Sequence, residues 1–202
     1  MHALIVVANP NRSSFSAAVV QKVLNGLAAS GHTAEVADLA VEGFDPRMTA
    51  GDLAYFQGLQ DPSPEIRREQ ERIERADALV VVHPLYWWQM PALLKGWIDR
   101  VFQANWAYGV TADGQVIGLL ADRPVRVIVH GEVNAEAADK RGYRSAFLTV
   151  VDGIFGFCGI RNHDTTFLFD IYSGEDAVRA EHLEAAYGIG SAIGVREISI
   201  KA

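Results

Sequence analysis

Three continuous aliphatic runs divide the chain, at residues 3–8, 78–82 and 125–129, and only Arg126 interrupts the last of them. Strands that are covered on both faces have this unbroken apolar pattern, because neither face meets water. The runs therefore predict buried strands of a parallel sheet. Shorter apolar patterns at residues 33–39 and 164–170 predict two further strands, which brings the sheet to five.

Between these runs, apolar residues recur at the three- and four-residue spacing of a helix face. The pattern predicts helices over residues 14–29, 65–75, 92–102, 143–157 and 175–188. Strands that alternate with helices form parallel sheets with right-handed crossovers and helices on both faces. The predicted fold class is therefore α/β, with a flavodoxin-like, doubly wound, five-stranded parallel sheet. Ligands of such sheets bind beyond the carboxyl ends of the strands, so the loops after residues 8, 82 and 129 are the candidate binding loops.

Composition narrows the class of protein. A length of 202 residues fits a single domain, 1–202, and 50% hydrophobic with 21% charged residues argues against disorder. The formal charge of -7 argues against nucleic-acid binding, and no apolar run approaches the roughly 20 residues that span a bilayer. With one cysteine, Cys158, and no signal-peptide pattern, we expect a soluble cytoplasmic protein. The sequence contains no HxxxH or CxxC pattern, which would predict a metal site.

The loop after the first strand reads NPNRSSFS, residues 9–16, and enters a predicted helix. The first N–H groups of a helix have no internal partner and, together with the helix dipole, attract an anion. Serine hydroxyls add donors, so a phosphate group is a candidate ligand. The alternative is that Ser13 or Ser14 acts only as an N-cap. Neither a Walker loop nor a GxGxxG fingerprint is present here. The glycine-rich GIGSAIG segment, residues 188–194, is predicted to be a loop.

The loop after the third strand belongs to the segment HPLYWWQMPALLKGWIDRVF, residues 83–102. Tyr86, Trp87 and Trp88 are consecutive rings at the predicted ligand edge, where planar side chains and backbone N–H groups suit a flat heteroaromatic ligand such as isoalloxazine. The alternative is that these rings cover the core or form a subunit contact. In the following helix Trp97 lies on the apolar stripe and is predicted to be core. Gly96 predicts a close approach by another segment.

The same segment resembles the flavodoxin-like NAD(P)H dehydrogenase (quinone) family, which includes bacterial quinone reductases and potassium-efflux ancillary reductases. NPNRSSFS, EQERIERAD at 69–77, WAYG at 106–109 and GFCG at 156–159 extend the resemblance over most of the chain. The resemblance implies two-electron reduction of quinones or related electrophiles by hydride transfer, in a ping-pong mechanism with NAD(P)H. It also implies bound FAD, with FMN as the alternative, and a homodimer with active sites at the subunit interface.

Roles carried over from the family fall on both candidate loops. The phosphate-side contacts fall on Ser14, Phe15 and Ser16, with Gln70 reaching the flavin from a neighbouring helix. The ring-side contacts fall on Pro84, Leu85, Tyr86 and Trp87, largely through backbone groups. Tyr108 in WAYG matches a tyrosine of the substrate pocket.

The chain departs from the family pattern at two places. Asn9 stands where the family often has a histidine, and His130-Gly131-Glu132-Val133 replaces Thr-Thr-Gly-Gly, so that Gly131 is the one retained cofactor-side glycine. The catalytic donors near flavin N1 and O2 are then assigned to Tyr143 and His130. A structural hydrogen-bonding role is the alternative for His130.

Two other classes of function stay open on the sequence alone. The chain is alternatively a regulatory ancillary subunit in peripheral contact with a membrane cation transporter. A flavodoxin-like electron carrier is the third hypothesis, and it needs no nicotinamide slot.

Overall fold

Five parallel strands form the central sheet of the computed structural model, which describes residues 1–172 and 176–194. A separate antiparallel hairpin contributes two short strands. In chain order the strands are β1 (His2–Val7), β2 (Thr33–Asp38), β3 (Ala78–Pro84), β4 (Tyr108–Val110), β5 (Val116–Gly118), β6 (Val125–His130) and β7 (His163–Leu168). The sheet order is β2-β1-β3-β6-β7, which confirms the predicted doubly wound, five-stranded fold.

Seven helices connect the strands in the described part of the chain. They are α1 (Phe15–Ala29), α2 (Ala50–Phe56), α3 (Pro64–Arg75), α4 (Ala92–Val101), α5 (Ala135–Lys140), α6 (Tyr143–Phe155) and α7 (Asp176–Ser191). The predicted helices agree with these bounds within a few residues. The predicted start of the last helix, at Glu175, lies outside the described residues. The elements α2, α5 and the β4–β5 hairpin were not predicted.

The sheet is buried on both faces, which explains the unbroken apolar runs. Side chains such as Ile5, Val80 and Ile128 meet α1 and α7 on one face. On the other face, Val81 and Val127 belong to a core that includes residues of α3, α4 and α6. Within the described residues, no helix has the length and apolar character needed to cross a membrane.

The helices α1 and α7 touch backbone to backbone. A Cβ atom on Gly26 would overlap the Tyr187 carbonyl oxygen, and one on Gly190 would overlap the Val23 carbonyl oxygen. The prediction of a loop over residues 188–194 is therefore wrong for its first part, because α7 continues to Ser191. In this segment Gly190 allows α7 to pack closely on α1.

The close approach predicted at Gly96 is confirmed, because a Cβ there would overlap Pro46. A buried ion-pair network holds the same region together. The Arg100 guanidinium donates to Asp52 Oδ2 and Glu65 Oε2, both at 2.9 Å, and so ties α4 to α2 and α3. These contacts fix α2 beside the last turn of α4.

Candidate active site

The three candidate loops meet at the carboxyl edge of β1, β3 and β6, which we call the ligand edge. Backbone hydrogen bonds hold them there: Ala8 N–H donates to Val82 O at 3.3 Å, and Leu85 N–H donates to His130 O at 2.8 Å. A Cβ on Gly131 would contact the Leu85 Cβ at 3.4 Å. The loop after β3, which carries the predicted ring-side contacts, therefore packs directly on the loop after β6 at the end of the sheet.

At one end of the ligand edge, the first turn of α1 has free donors. Ser14 is the N-cap, and its Oγ accepts from Ala17 N–H at 3.4 Å. The predicted cap is thus present, but it leaves the Phe15 and Ser16 N–H groups without an acceptor among the described residues. The cap and the anion interpretations are therefore compatible, since the cap uses one donor and leaves two.

Ser16 is joined to the end of β6 beneath this turn. Its Oγ lies 2.6 Å from His130 Nε2 and accepts from Asn9 Nδ2 at 2.9 Å. Ser16 is 0% exposed and its hydroxyl already has these two partners, whereas its backbone N–H has no acceptor among the described residues. Asn9, at the position where the family often has a histidine, is thus linked through Ser16 to His130, a histidine of a different strand.

His130 is a neutral, buried group in this arrangement. The ring is 4% exposed, and burial lowers its pKa to about 4, with a smaller contribution from His83. Its Nε2 faces the start of α1 and its ring meets the edge of Phe15 at a centroid distance of 5.5 Å. These contacts favour the alternative stated above, in which His130 is a structural hydrogen-bonding group, over a donor to flavin N1 and O2.

At the other end of the ligand edge, residues 86–89 form a tight turn. Tyr86 and Gln89 exchange two backbone hydrogen bonds, each 3.0 Å long. Trp87 and Trp88 between them have φ values of 50° and 64°, in the left-handed region. The Trp87 ring is 93% exposed, whereas the Trp88 ring stacks on Tyr143 with 3.7 Å between centroids. The Trp87 and Trp88 N–H groups have no acceptor among the described residues.

Gln70 lies away from the ligand edge, contrary to its assignment as a flavin contact. Its side chain is 0% exposed, and its Nε2 donates to Val101 O at 3.2 Å between α3 and α4. The structure thus contradicts this assignment, because a flavin contact would require Gln70 to leave the core. Trp97 is buried nearby as predicted, and its Nε1 donates to Glu69 Oε2 at 3.0 Å.

Tyr108 also lies apart from the ligand-edge loops of its own chain. It follows α4, whose ten residues span about 15 Å from the ligand edge towards the opposite end of the sheet. There it lines a cavity of about 370 Å³ that we call the distal pocket, formed by Met48, Leu53, Phe56, Ile98, Asp99, Phe102, Gln103, Tyr108, Gly153, Ile154, Phe157 and Cys158. Burial raises the pKa of Tyr108, with a smaller contribution from Cys158, so the phenol is a neutral hydrogen-bonding group at pH 7.

The sequence did not single out two residues at the ligand edge. Trp88 was one of three consecutive rings, and only the structure shows that it is the ring that packs on Tyr143. Arg179, from α7, places its guanidinium carbon 5.5 Å from the Phe15 ring centroid, near the free N–H groups of α1. No sequence signal connects this arginine with the first loop, because 164 residues separate it from Phe15.

The sheet order, together with binding loops where the order reverses at β1 and β3, defines a flavodoxin-like protein. A family described as "Flavodoxin-like fold" matches residues 1–188, and the chain belongs to this family. A relative named "uncharacterized NAD(P)H oxidoreductase", from Haemophilus influenzae, is 29% identical over 92% of each chain.

Solved structures are similar over nearly the whole chain. An NAD(P)H:quinone oxidoreductase from Methanothermobacter marburgensis is 32% identical, with a TM-score of 0.86 over 95% of this chain and 98% of that one. An FMN-dependent NADH-azoreductase from Bacillus anthracis, in complex with FMN, shares the fold at 21% identity, with a TM-score of 0.69 over 94% and 99% of the two chains. The resemblance drawn from the motifs is thus confirmed.

Proposed function

We propose that the protein is a flavin-dependent NAD(P)H oxidoreductase that reduces quinones by two-electron hydride transfer. The relatives named above support the reaction class. The observation that carries the proposal is the pairing of free donors at the ligand edge: two N–H groups at the start of α1 and two more in the turn at residues 86–89. A phosphate end and a planar ring end are the two parts that such a pair fits.

The residues present fit a flavin. The Phe15 and Ser16 N–H groups and the dipole of α1 would hold its phosphate, with Ser14 as the cap and Arg179 as a nearby cation. The ring would lie against the backbone of the sheet-edge residues Pro84, Leu85, Tyr86 and Trp87, with Gly131 on the neighbouring loop. At Gly131 the backbone lies close to Leu85, since a Cβ there would be in van der Waals contact with the Leu85 Cβ.

We propose FMN rather than FAD as the flavin. The phosphate contacts serve either one, but FAD needs further contacts for its adenylate part. The prediction of FAD rested partly on Gln70, and that side chain is in the core between α3 and α4. With this support removed, the smaller flavin is the one that the remaining residues explain.

Within this proposal, the bound flavin supplies the chemistry of accepting hydride from NAD(P)H and passing it on. The protein's residues bind and orient. The N–H groups of Trp87 and Trp88 would hold the ring edge, and the exposed Trp87 indole would bound an open slot in which nicotinamide and then quinone take the same place. Since one slot serves both substrates, we propose ping-pong kinetics.

We propose further that two copies of the chain form the enzyme. Around the distal pocket, Met48, Leu53, Phe56 and Phe157 are exposed, which is a large apolar surface for a solvated face. A second copy that covered this face would bring Tyr108 to the ligand edge of its partner, as a hydrogen-bonding group for the quinone. The one cysteine, Cys158, is free and buried, which supports placement in a reducing cytoplasm.

The purified protein tests the proposal directly. We expect a yellow protein that releases FMN on heating, as identified by chromatography and mass, and that oxidises NADH or NADPH rapidly once a quinone is added. Steady-state rates measured at several fixed quinone concentrations should give parallel lines in double-reciprocal plots, and stopped flow should resolve the two half-reactions. Sedimentation at micromolar concentration should give a dimer.

Each part has its own contrary result. A colourless protein that takes up neither FMN nor FAD overturns the flavin assignment. Bound flavin that NADH and NADPH reduce only slowly favours the electron carrier. An active monomer with bound flavin overturns the second copy but leaves the reaction class intact.

A further inference from the structure

The turn at residues 86–89 has an unusual composition for its conformation. Two-residue turns with positive φ at both central positions strongly prefer Asn-Gly or Gly-Gly, because a Cβ atom there meets the following carbonyl oxygen. Here those positions hold Trp87 and Trp88, with φ values of 50° and 64°. Bulky residues persist in this region only where their surroundings hold them, and such strain is concentrated at functional sites.

Among the described residues, one ring-on-ring contact involves the turn. The Trp88 ring lies nearly parallel to the Tyr143 ring, at 21° and 3.7 Å between centroids. Trp87 contributes little, since its side chain points into solvent. The backbone bonds between Tyr86 and Gln89 close the turn but do not determine the sign of φ at the two residues inside it.

Tyr143 is a fixed platform for this contact. It is the first residue of α6 and follows Gly142, whose φ of 71° directs the chain sharply into the helix. Among the described residues its hydroxyl makes no hydrogen bond, so the ring, rather than the hydroxyl, is the part of the side chain that has a partner.

We propose that Tyr143 is a positioning residue, which acts through Trp88 to hold the Trp87 and Trp88 N–H groups in the orientation that binds the flavin ring. This inference rests on the proposed function and deepens it. It replaces the role assigned to Tyr143 from the sequence, that of a donor near flavin N1 and O2, with a role for its ring. The hydroxyl is then dispensable, and the aromatic ring is not.

The conservative and the disruptive substitutions separate these roles. Tyr143→Phe keeps the stack and removes the hydroxyl, whereas Tyr143→Leu removes the stack. The matched control is Tyr172→Leu, because Tyr172 is 65% exposed and the change is chemically the same. The measurements are FMN affinity of the flavin-free protein by fluorescence quenching, near-ultraviolet circular dichroism without flavin, and the rate of flavin reduction by NADPH between pH 6 and 9.

We expect Tyr143→Phe and Tyr172→Leu to bind FMN within about twofold of the parent protein, with the same pH profile of reduction. Tyr143→Leu should weaken FMN binding by about tenfold, because the free-energy cost of holding one residue in the left-handed region corresponds to about a tenfold change in affinity. It should also lose the near-ultraviolet signal of the stacked rings. Far-ultraviolet circular dichroism verifies that each variant is folded.

A second variant keeps the inference testable if Tyr143→Leu misfolds. Trp88→Gly adopts positive φ without strain, so adding Tyr143→Leu to it should cost no further affinity. A further tenfold loss in the double variant overturns the proposal, as does loss of reduction in Tyr143→Phe with an altered pH profile. If the parent protein binds neither flavin, the proposed function fails, and the near-ultraviolet spectra of the flavin-free variants still decide whether Tyr143 holds the turn.

Discussion

The ligand edge and the distal pocket lie towards opposite ends of α4 but differ in almost every physical respect. The ligand edge is built from loops with free N–H groups, left-handed backbone and a neutral buried histidine. The distal pocket is built from the ends of helices and lined mainly by apolar side chains. The helix α4 joins them and holds their ends about 15 Å apart.

The difference teaches how one segment can serve two sites. Residues that precede α4 shape the ligand edge of their own chain, and residues that follow it lie on the opposite end of the molecule. In the proposed dimer, that opposite end faces the partner's flavin. One segment of the sequence would then contribute to two active sites, with α4 as the spacer that sets where each part lies.

The largest expected effect comes from breaking the spacer itself. Trp97 of α4 is almost fully buried, and it donates to the buried Glu69 carboxylate. We expect Trp97→Ala to lower the free energy of unfolding by about 3 to 5 kcal/mol, since it leaves a cavity and an unpaired carboxylate. The ligand edge and the distal pocket should lose their structure together. Urea denaturation would measure this, and a loss below about 1 kcal/mol would contradict the role of α4.

Lowering the pH should destabilise the folded protein through two buried histidines, His83 and His130, near the ligand edge. Burial lowers the pKa of His83 and of His130 to about 4, so the folded protein keeps both neutral while the unfolded chain protonates them near pH 6.5. The unfolded state therefore binds more protons below pH 6.5, and stability falls as the pH falls. We expect a loss of about 2 kcal/mol per histidine between pH 7 and 5.

The variant His130→Asn should reduce that slope by about half, because one of the two buried histidines is gone. Unfolding free energies at several pH values would measure both slopes. An unfolding free energy that stays constant from pH 7 to pH 5 would show that the two imidazoles are not buried as described.

The distal pocket should affect the acceptor and leave the flavin alone. We expect Tyr108→Leu to lower kcat/KM for quinones by about tenfold, the effect of losing one neutral hydrogen bond with its packing, and to leave flavin content unchanged. Steady-state kinetics with a quinone panel and flavin absorbance would measure these.

A mixed dimer sharpens this prediction. One subunit carries Tyr108→Leu, and the other carries Gly131→Phe, whose bulky ring, placed beside Leu85, we expect to block the ligand edge of its own chain. If Tyr108 acts across the interface, the hybrid regains one normal site of the two. If it acts within its own chain, the hybrid shows no more activity per unblocked site than the Tyr108→Leu dimer.

The smallest effect on stability is expected at Trp87. Its ring is exposed, so Trp87→Ala should change the free energy of unfolding by no more than about 0.5 kcal/mol, while it weakens flavin retention and slows reduction by NAD(P)H. The same substitution at Trp97 is the matched comparison. A loss above about 2 kcal/mol at Trp87, with normal flavin chemistry, would mean that the ring cluster is structural.

The parallel sheet and the position of the ligand edge could be predicted from the sequence because buried strands carry a long apolar signal. The three-residue strands β4 and β5 and the seven-residue α2 are too short to carry such a signal. The error at Gln70 was avoidable in part, since it lies on the same helical stripe as Ile66 and Ile73. The pairs Ser16–His130 and Phe15–Arg179 depend on tertiary packing across more than 100 residues, which no local pattern reports.

The backbone contact between Gly26 and Gly190 has a consequence for the order in which the chain is made. The helix α1 leaves the ribosome early, yet its apolar face is covered by α7, which is synthesised about 160 residues later. At about 5 to 20 residues per second, that face waits for roughly 8 to 32 s. During translation the first turn of α1 therefore lacks its final support, and we expect flavin to be captured only after α7 has been synthesised and has packed on α1.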